Sequence, residues 1–146
     1  MSIDLLEEIN EGIKEAKRGN TQLGIKLLQD SACFNNVPEA KAWFGYCLAY
    51  EKKDFRTGIN LCREVLSKNP ELAEGYHALG RIYLHSGNRK QAVEILERGL
   101  KWNQNQEIQN LLRSIGIRRR PLIPFLHRDN TLNVSLGRCL AKLGLR

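Results

Sequence analysis

The sequence contains no apolar run long enough to cross a membrane, which takes about 20 consecutive apolar residues. Its opening, Met1-Ser2-Ile3-Asp4-Leu5-Leu6-Glu7-Glu8, has neither a basic leader nor an apolar signal core, so a cytoplasmic protein is expected. Cys33, Cys47, Cys62 and Cys139 form no closely spaced pair. A tetrahedral metal site wants two such pairs, so these cysteines read as small buried apolar residues, kept reduced. His77, His85 and His127 show no i, i+4 pairing, and His77 and His85 are too far apart to share an ion without a bridging ligand. There is no glycine-rich phosphate loop, no nucleophile elbow and no pair of carboxylates in an apolar setting. Ser31, Ser67, Ser86, Ser114 and Ser135 have no base at a suggestive spacing. No catalytic residue, no cofactor and no metal are expected, and the chain reads as a non-enzyme.

Acidic residues are scarce in one place only. The net charge is +7 over 146 residues, which is one small domain with room for an appendage. Residues 1–72 carry a net charge of −1, residues 73–106 carry +2 and residues 107–146 carry +6. A basic appendage on a near-neutral body bears on partners rather than on fold.

The body has a period. Between Ala73 and Gln106 the sequence reads Tyr76-x2-Leu79-Gly80-x2-Tyr83, then Ala92-x3-Leu96, with Ser86-Gly87-Asn88 breaking the helix between them. Gly80 and Ala92 are small where two antiparallel helices must come close, at roughly 8–10 Å between axes. A step of 34 residues toward the N-terminus takes Gly80 to Tyr46 and Ala92 to Gly58, and a second step takes them to Gly12 and Gly24. Gly19-Asn20 then falls in register with Gly87-Asn88 without a gap. The second unit has Gly45-Tyr46 in place of the Leu-Gly pair. The first carries Glu8, Glu11 and Glu15 at positions that usually pack, and its apolar stripe shifts to Leu5, Ile9, Gly12, Ile13 and Ala16.

Over roughly residues 5–106 the chain resembles the tetratricopeptide repeat (TPR) family, whose unit is a helix–turn–helix of about 34 residues. The resemblance implies an all-α fold: a right-handed α-solenoid of three helical hairpins at about 5–38, 39–72 and 73–106. Helices are expected over 4–18, 39–52, 55–67, 72–86 and 89–102, with Thr21 capping the second. Residues 107–115, with Ile108, Leu111, Leu112 and Ile115 in a stripe, are expected to be a capping helix, which closes a domain at 1–116.

The resemblance also implies a concave groove lined by the first helix of each repeat. On the family pattern it would present Ile9, Ile13, Trp43, Cys47, Tyr50, His77, Arg81 and Leu84. Some members grip a partner's terminal carboxylate with Lys and Asn in this groove. Here Ile9, Ile13, Trp43, Phe44 and Cys47 stand at those places, so an apolar peptide segment is the expected ligand.

Residues 117–146 form a basic, apolar tail. Pro121 and Pro124 rule out a continuous helix, so the segment should be extended and end in a short helix at about 131–143. Leu122, Ile123, Phe125 and Leu126 need burial: in the chain's own groove, on the end of the stack, or on a second copy as a homo-oligomer. Arg118-Arg119-Arg120 can neutralise phosphates, but no aromatic interleaving or wide basic face accompanies them, so nucleic acid is disfavoured as a partner. Three functions are open: an adaptor binding another protein or peptide, a ribonucleoprotein accessory working through the arginines, and an oligomer subunit clamped by its tail.

Overall fold

A computed structural model describes residues 3–29 and 36–116. The chain divides into two units, Met1–Ile115 and Gly116–Arg146; all that follows concerns the first. Among the described residues there are seven helices and no strand: α1 (Ile3–Arg18), α2 (Thr21–Leu28), α3 (Pro38–Glu51), α4 (Phe55–Lys68), α5 (Ala73–His85), α6 (Arg89–Trp102) and α7 (Gln106–Ile115). The expected tail and its short helix lie outside the described residues.

The punctuation of these helices repeats at the spacing read from the sequence. Gly19, Lys53 and Gly87 follow the first helix of each unit, 34 residues apart, and all three are left-handed, with φ of 97°, 56° and 79°. At Gly19 and Gly87 the next amide reaches back across the turn: Asn20 N–H donates to Glu15 O at 2.9 Å and Asn88 N–H to Tyr83 O at 2.8 Å. These bonds satisfy carbonyls that a helix end leaves orphaned. Asn20, Asp54 and Asn88 then occupy the N-cap of each second helix. The Asp54 carboxylate accepts from Thr57 N–H at 3.1 Å and Asn88 Oδ1 from Gln91 N–H at 3.4 Å. In the first unit the expected cap moves by one residue. Asn20, not Thr21, precedes the helix, and its side chain donates to Glu15 Oε2 instead of capping α2. Thr21 is buried and donates its hydroxyl to Glu51. Pro38 opens α3, where a missing N–H costs nothing.

The hairpins α1/α2, α3/α4 and α5/α6 each pack internally; α3 also packs on α1, α2 and α5, and α4 on α5. Trp43, Ile9, Leu28, Leu79 and Ile82 are fully enclosed in one core running through all three pairs. A second core holds Ala73, Tyr76 and Leu96 against Ile108 and Leu112, so α7 packs on the apolar side of the last hairpin. The close approach in the middle hairpin is backbone on backbone. A methyl group on Gly58 would lie 2.5 Å from Gly45 O. Gly45-Tyr46 thus does for α3/α4 what Leu79-Gly80 does for α5/α6, one residue earlier in register.

Candidate functional site

Trp43, in the middle of α3, anchors the face shared by α1, α3 and α5. Its indole N–H donates to Glu74 Oε2 at 2.8 Å. Its ring meets His77 edge-on, with centroids 5.1 Å apart, and Tyr46 likewise at 5.6 Å. Two cations cover it: Lys17 Nζ at 5.7 Å from the ring centroid and the Arg81 guanidinium at 5.6 Å. Arg81 also stacks on Tyr46, 4.4 Å from its centroid, and donates to the backbone oxygen of Lys17 at 2.7 Å.

Lys17 is held in turn by carboxylates from two other helices. Its ammonium lies 3.0 Å from Glu74 Oε1 on α5 and 2.9 Å from Glu107 Oε2 on α7. Burial works against the charge on Lys17, but the hydrogen bonds it donates to Glu107 and Glu74 outweigh it, and its pKa is raised. Burial likewise opposes ionisation of Glu107, yet Lys17 holds its pKa below the usual carboxylate value. His77 goes the other way: burial depresses its pKa more than Glu107 lifts it, so the ring is held neutral. His77 Nδ1 lies 3.3 Å from Glu107 Oε2 but off a hydrogen-bonding direction, and it is a buried nitrogen with no partner. The ligand atoms of Glu74, His77 and Glu107 all lie within 4.8 Å of one another.

Toward the other end of α3 the face opens. Tyr50 is 40% exposed and stacks on His85, with ring centroids 4.4 Å apart. Lys53 closes this corner, 2.7 Å from His85 Nε2 and 5.6 Å above the Tyr50 ring.

The residues assigned to the groove fall into two groups. Tyr50 is exposed, and Ile13, Arg81 and Leu84 are half-buried. Ile9, Trp43, Cys47 and His77 are buried, so the apolar anchors expected on the surface are inside the protein. The physical reason is the closeness of the first helices. Lys17 and Arg81 fold over the indole where a peptide side chain was expected to sit. Cys47 and Cys62 are buried free thiols, pushed up to about 12 by desolvation, which makes them inert packing groups. Arg118, Arg119, Arg120, Leu122, Ile123, Phe125 and Leu126 lie outside the described residues. Sequence reading missed Lys17 as a bridge and Glu74 and Glu107 as its partners. The one available signal was Glu74-x2-His77, which puts a carboxylate and an imidazole on the same side of α5.

Residues 49–115, from the last turn of α3 to the end of α7, match the family model described as tetratricopeptide repeat. That segment belongs to the tetratricopeptide repeat family. No curated protein and no solved structure matches the chain. Ahead of the matched segment, Gly19 and Asn20 keep the TPR spacing, so the helix punctuation of the repeats extends to α1 and α2. TPR units generally mediate protein–protein interaction. Among the described residues no helix is long and apolar enough to cross a membrane.

Proposed function

We propose that this protein is a non-catalytic adaptor whose TPR stack, a right-handed solenoid, receives a peptide segment of another protein along the face where α3 and α5 meet. The observation that carries this reading is Tyr50, an aromatic ring 40% exposed on a helix where Trp43 and Tyr46 are buried and Phe44 is half-buried. An exposed aromatic held rigidly by its neighbours loses little entropy on contact and is the side-chain type that dominates binding energy at interfaces. Half-buried Leu84 and Arg81 continue the surface. The partner segment is therefore mixed rather than wholly apolar: an apolar side chain for Tyr50 and Leu84, and acceptors for the guanidinium. Burying a few such side chains and ordering an extended segment leaves an affinity of order micromolar. Free, buried thiols at Cys47 and Cys62 suit a reducing compartment such as the cytoplasm.

The accessory and oligomer readings both rest on residues 117–146, outside the described residues, and no observation favours either. The test is capture from extract by the full chain, comparing Tyr50→Ala with Trp102→Ala, the latter at an exposed tryptophan on α6. Loss of the captured protein with Tyr50→Ala alone supports the α3/α5 face. Equal capture by both variants moves the binding surface elsewhere.

A further inference from the structure

Glu74, His77 and Glu107 converge beside the Lys17 ammonium. We propose that these three residues form a binding site for a divalent transition-metal ion of the zinc type. This goes beyond the adaptor reading and does not depend on it.

Geometry comes first. Glu74 and His77 stand at i, i+3 on α5, and Glu107 comes from the first turn of α7. Their ligand atoms lie within 4.8 Å of one another. Donors bound at about 2.0–2.2 Å in a tetrahedral shell are about 3.4 Å apart, so the three need contract only by rotamer adjustment. Glu107 is half exposed, with 48% of its side chain accessible, and can make that adjustment.

The second observation concerns the imidazole. His77 is 8% exposed, and its Nδ1 faces Glu107 without a hydrogen-bond partner. A buried polar nitrogen without a partner costs free energy and calls for an explanation, of which a bound ion is one.

Third, the carboxylate is already positioned from behind. The Trp43 indole N–H holds Glu74 Oε2 at 2.8 Å and leaves Oε1 facing the cluster. Ligating carboxylates are commonly oriented by such a hydrogen bond.

Lys17 is the competitor. Its ammonium touches both Glu74 and Glu107, and Arg81 adds a second positive charge nearby. The Lys17 side chain is 26% exposed and can turn to water when the ion enters. One nitrogen and two carboxylate oxygens suit Zn2+, Co2+ or Mn2+ better than Ca2+ or Mg2+, which take oxygen shells. Three protein ligands leave a coordination position open to water.

The experiment uses the full chain, freed of metal by chelator and titrated with Co2+ and with Zn2+. It is read by cobalt visible absorption, by calorimetry, and by quenching of Trp43 in a Trp102→Phe background. Trp43 and Trp102 are the two tryptophans, and the Trp43 ring lies 5.1 Å from that of His77. The expected result is one ion per chain, a tetrahedral cobalt spectrum, and quenching of Trp43. Glu107→Gln and His77→Gln should each weaken binding at least about tenfold. Lys17→Met, which removes a positive charge within contact distance, should tighten it at least about tenfold. Circular dichroism separates an unfolded His77→Gln from a folded one, and Lys17→Met keeps the test decisive in either case. Absence of saturable binding in both the native chain and Lys17→Met overturns the proposal. So does binding that survives unchanged in Glu107→Gln, since the ion would then sit elsewhere.

Discussion

Gly58 should be the position in α4 least able to accept a side chain. Replacing it by Ala puts a methyl carbon 2.5 Å from Gly45 O and 3.0 Å from Ala49 Cβ. Real methyl carbons keep at least 3.0 Å, so α3 and α4 must separate by about 0.5 Å or more. The clashing oxygen is a backbone carbonyl inside a helix and cannot rotate away, as the end of a leucine could. Overpacking of this kind costs about 1–3 kcal/mol. Against it stands the gain of Ala over Gly in a helix, about 1 kcal/mol. With the clash at the upper end of its range, the net loss is about 1–2 kcal/mol, or a fall in Tm of about 2–8 °C for a chain of this size. Urea titration and thermal melting of the full chain by circular dichroism measure it, with an unchanged slope against denaturant showing that only stability moved. The comparison is instructive because the matching residue of the next repeat is Ala92, fully buried and tolerated. A Gly58→Ala variant as stable as the parent, or more so, would refute the close-approach account.

The turn after α3 supplies a change of opposite sign. Lys53 has φ of 56° where the flanking repeats have glycine, so Lys53→Gly should raise stability by about 0.5–1 kcal/mol, read by the same melts. Gly87→Ala, with φ of 79° and open space around it, should lower stability by about 1–2 kcal/mol through backbone strain alone. Trp43→Phe keeps a ring but removes the donor to Glu74, for a loss of about 1–3 kcal/mol in denaturant. Glu15 is held below the usual carboxylate value by hydrogen bonds from Asn20 and Arg18. Its contribution is present above the ordinary glutamate pKa of about 4.3 and is lost as pH falls through its depressed folded value. Glu15→Gln should therefore flatten the acid limb of a Tm-against-pH curve.

Much of the fold could be read from residue types because its determinants are local. Gly19 and Gly87 end helices by their own φ, Asp54 and Asn88 cap the helices that follow, and the stripe from Ile108 to Ile115 marks an amphipathic cap. Each signal acts within a few residues of itself. The misplacements have equally specific causes. Thr21 reads as a cap because threonine often is one; Asn20 takes that place and lends its amide to Glu15. Glu15 seemed misplaced at a packing position until its two hydrogen-bond donors were in view. The burial of Ile9, Trp43, Cys47 and His77 was hidden for a different reason. Periodicity tells toward which flank Trp43 points, but not how near the next helix stands. The contacts that cover the indole join Lys17 to Glu74 across 57 residues and Arg81 to Lys17 across 64, separations that are not multiples of the 34-residue period. The same distance hid the convergence of Glu74, His77 and Glu107.

The ties of Lys17 to Glu74, to Glu107 and, through its carbonyl, to Arg81 change how the molecule should come apart. An array whose units touch only their neighbours can fray from either end, losing one hairpin while the rest holds. Here the first helix is fastened directly to the third hairpin and to the closing helix. Opening either terminus therefore breaks bonds at the other, and amide exchange in α1 and α7 should proceed together, with one common opening free energy, rather than as independent loosening of two ends.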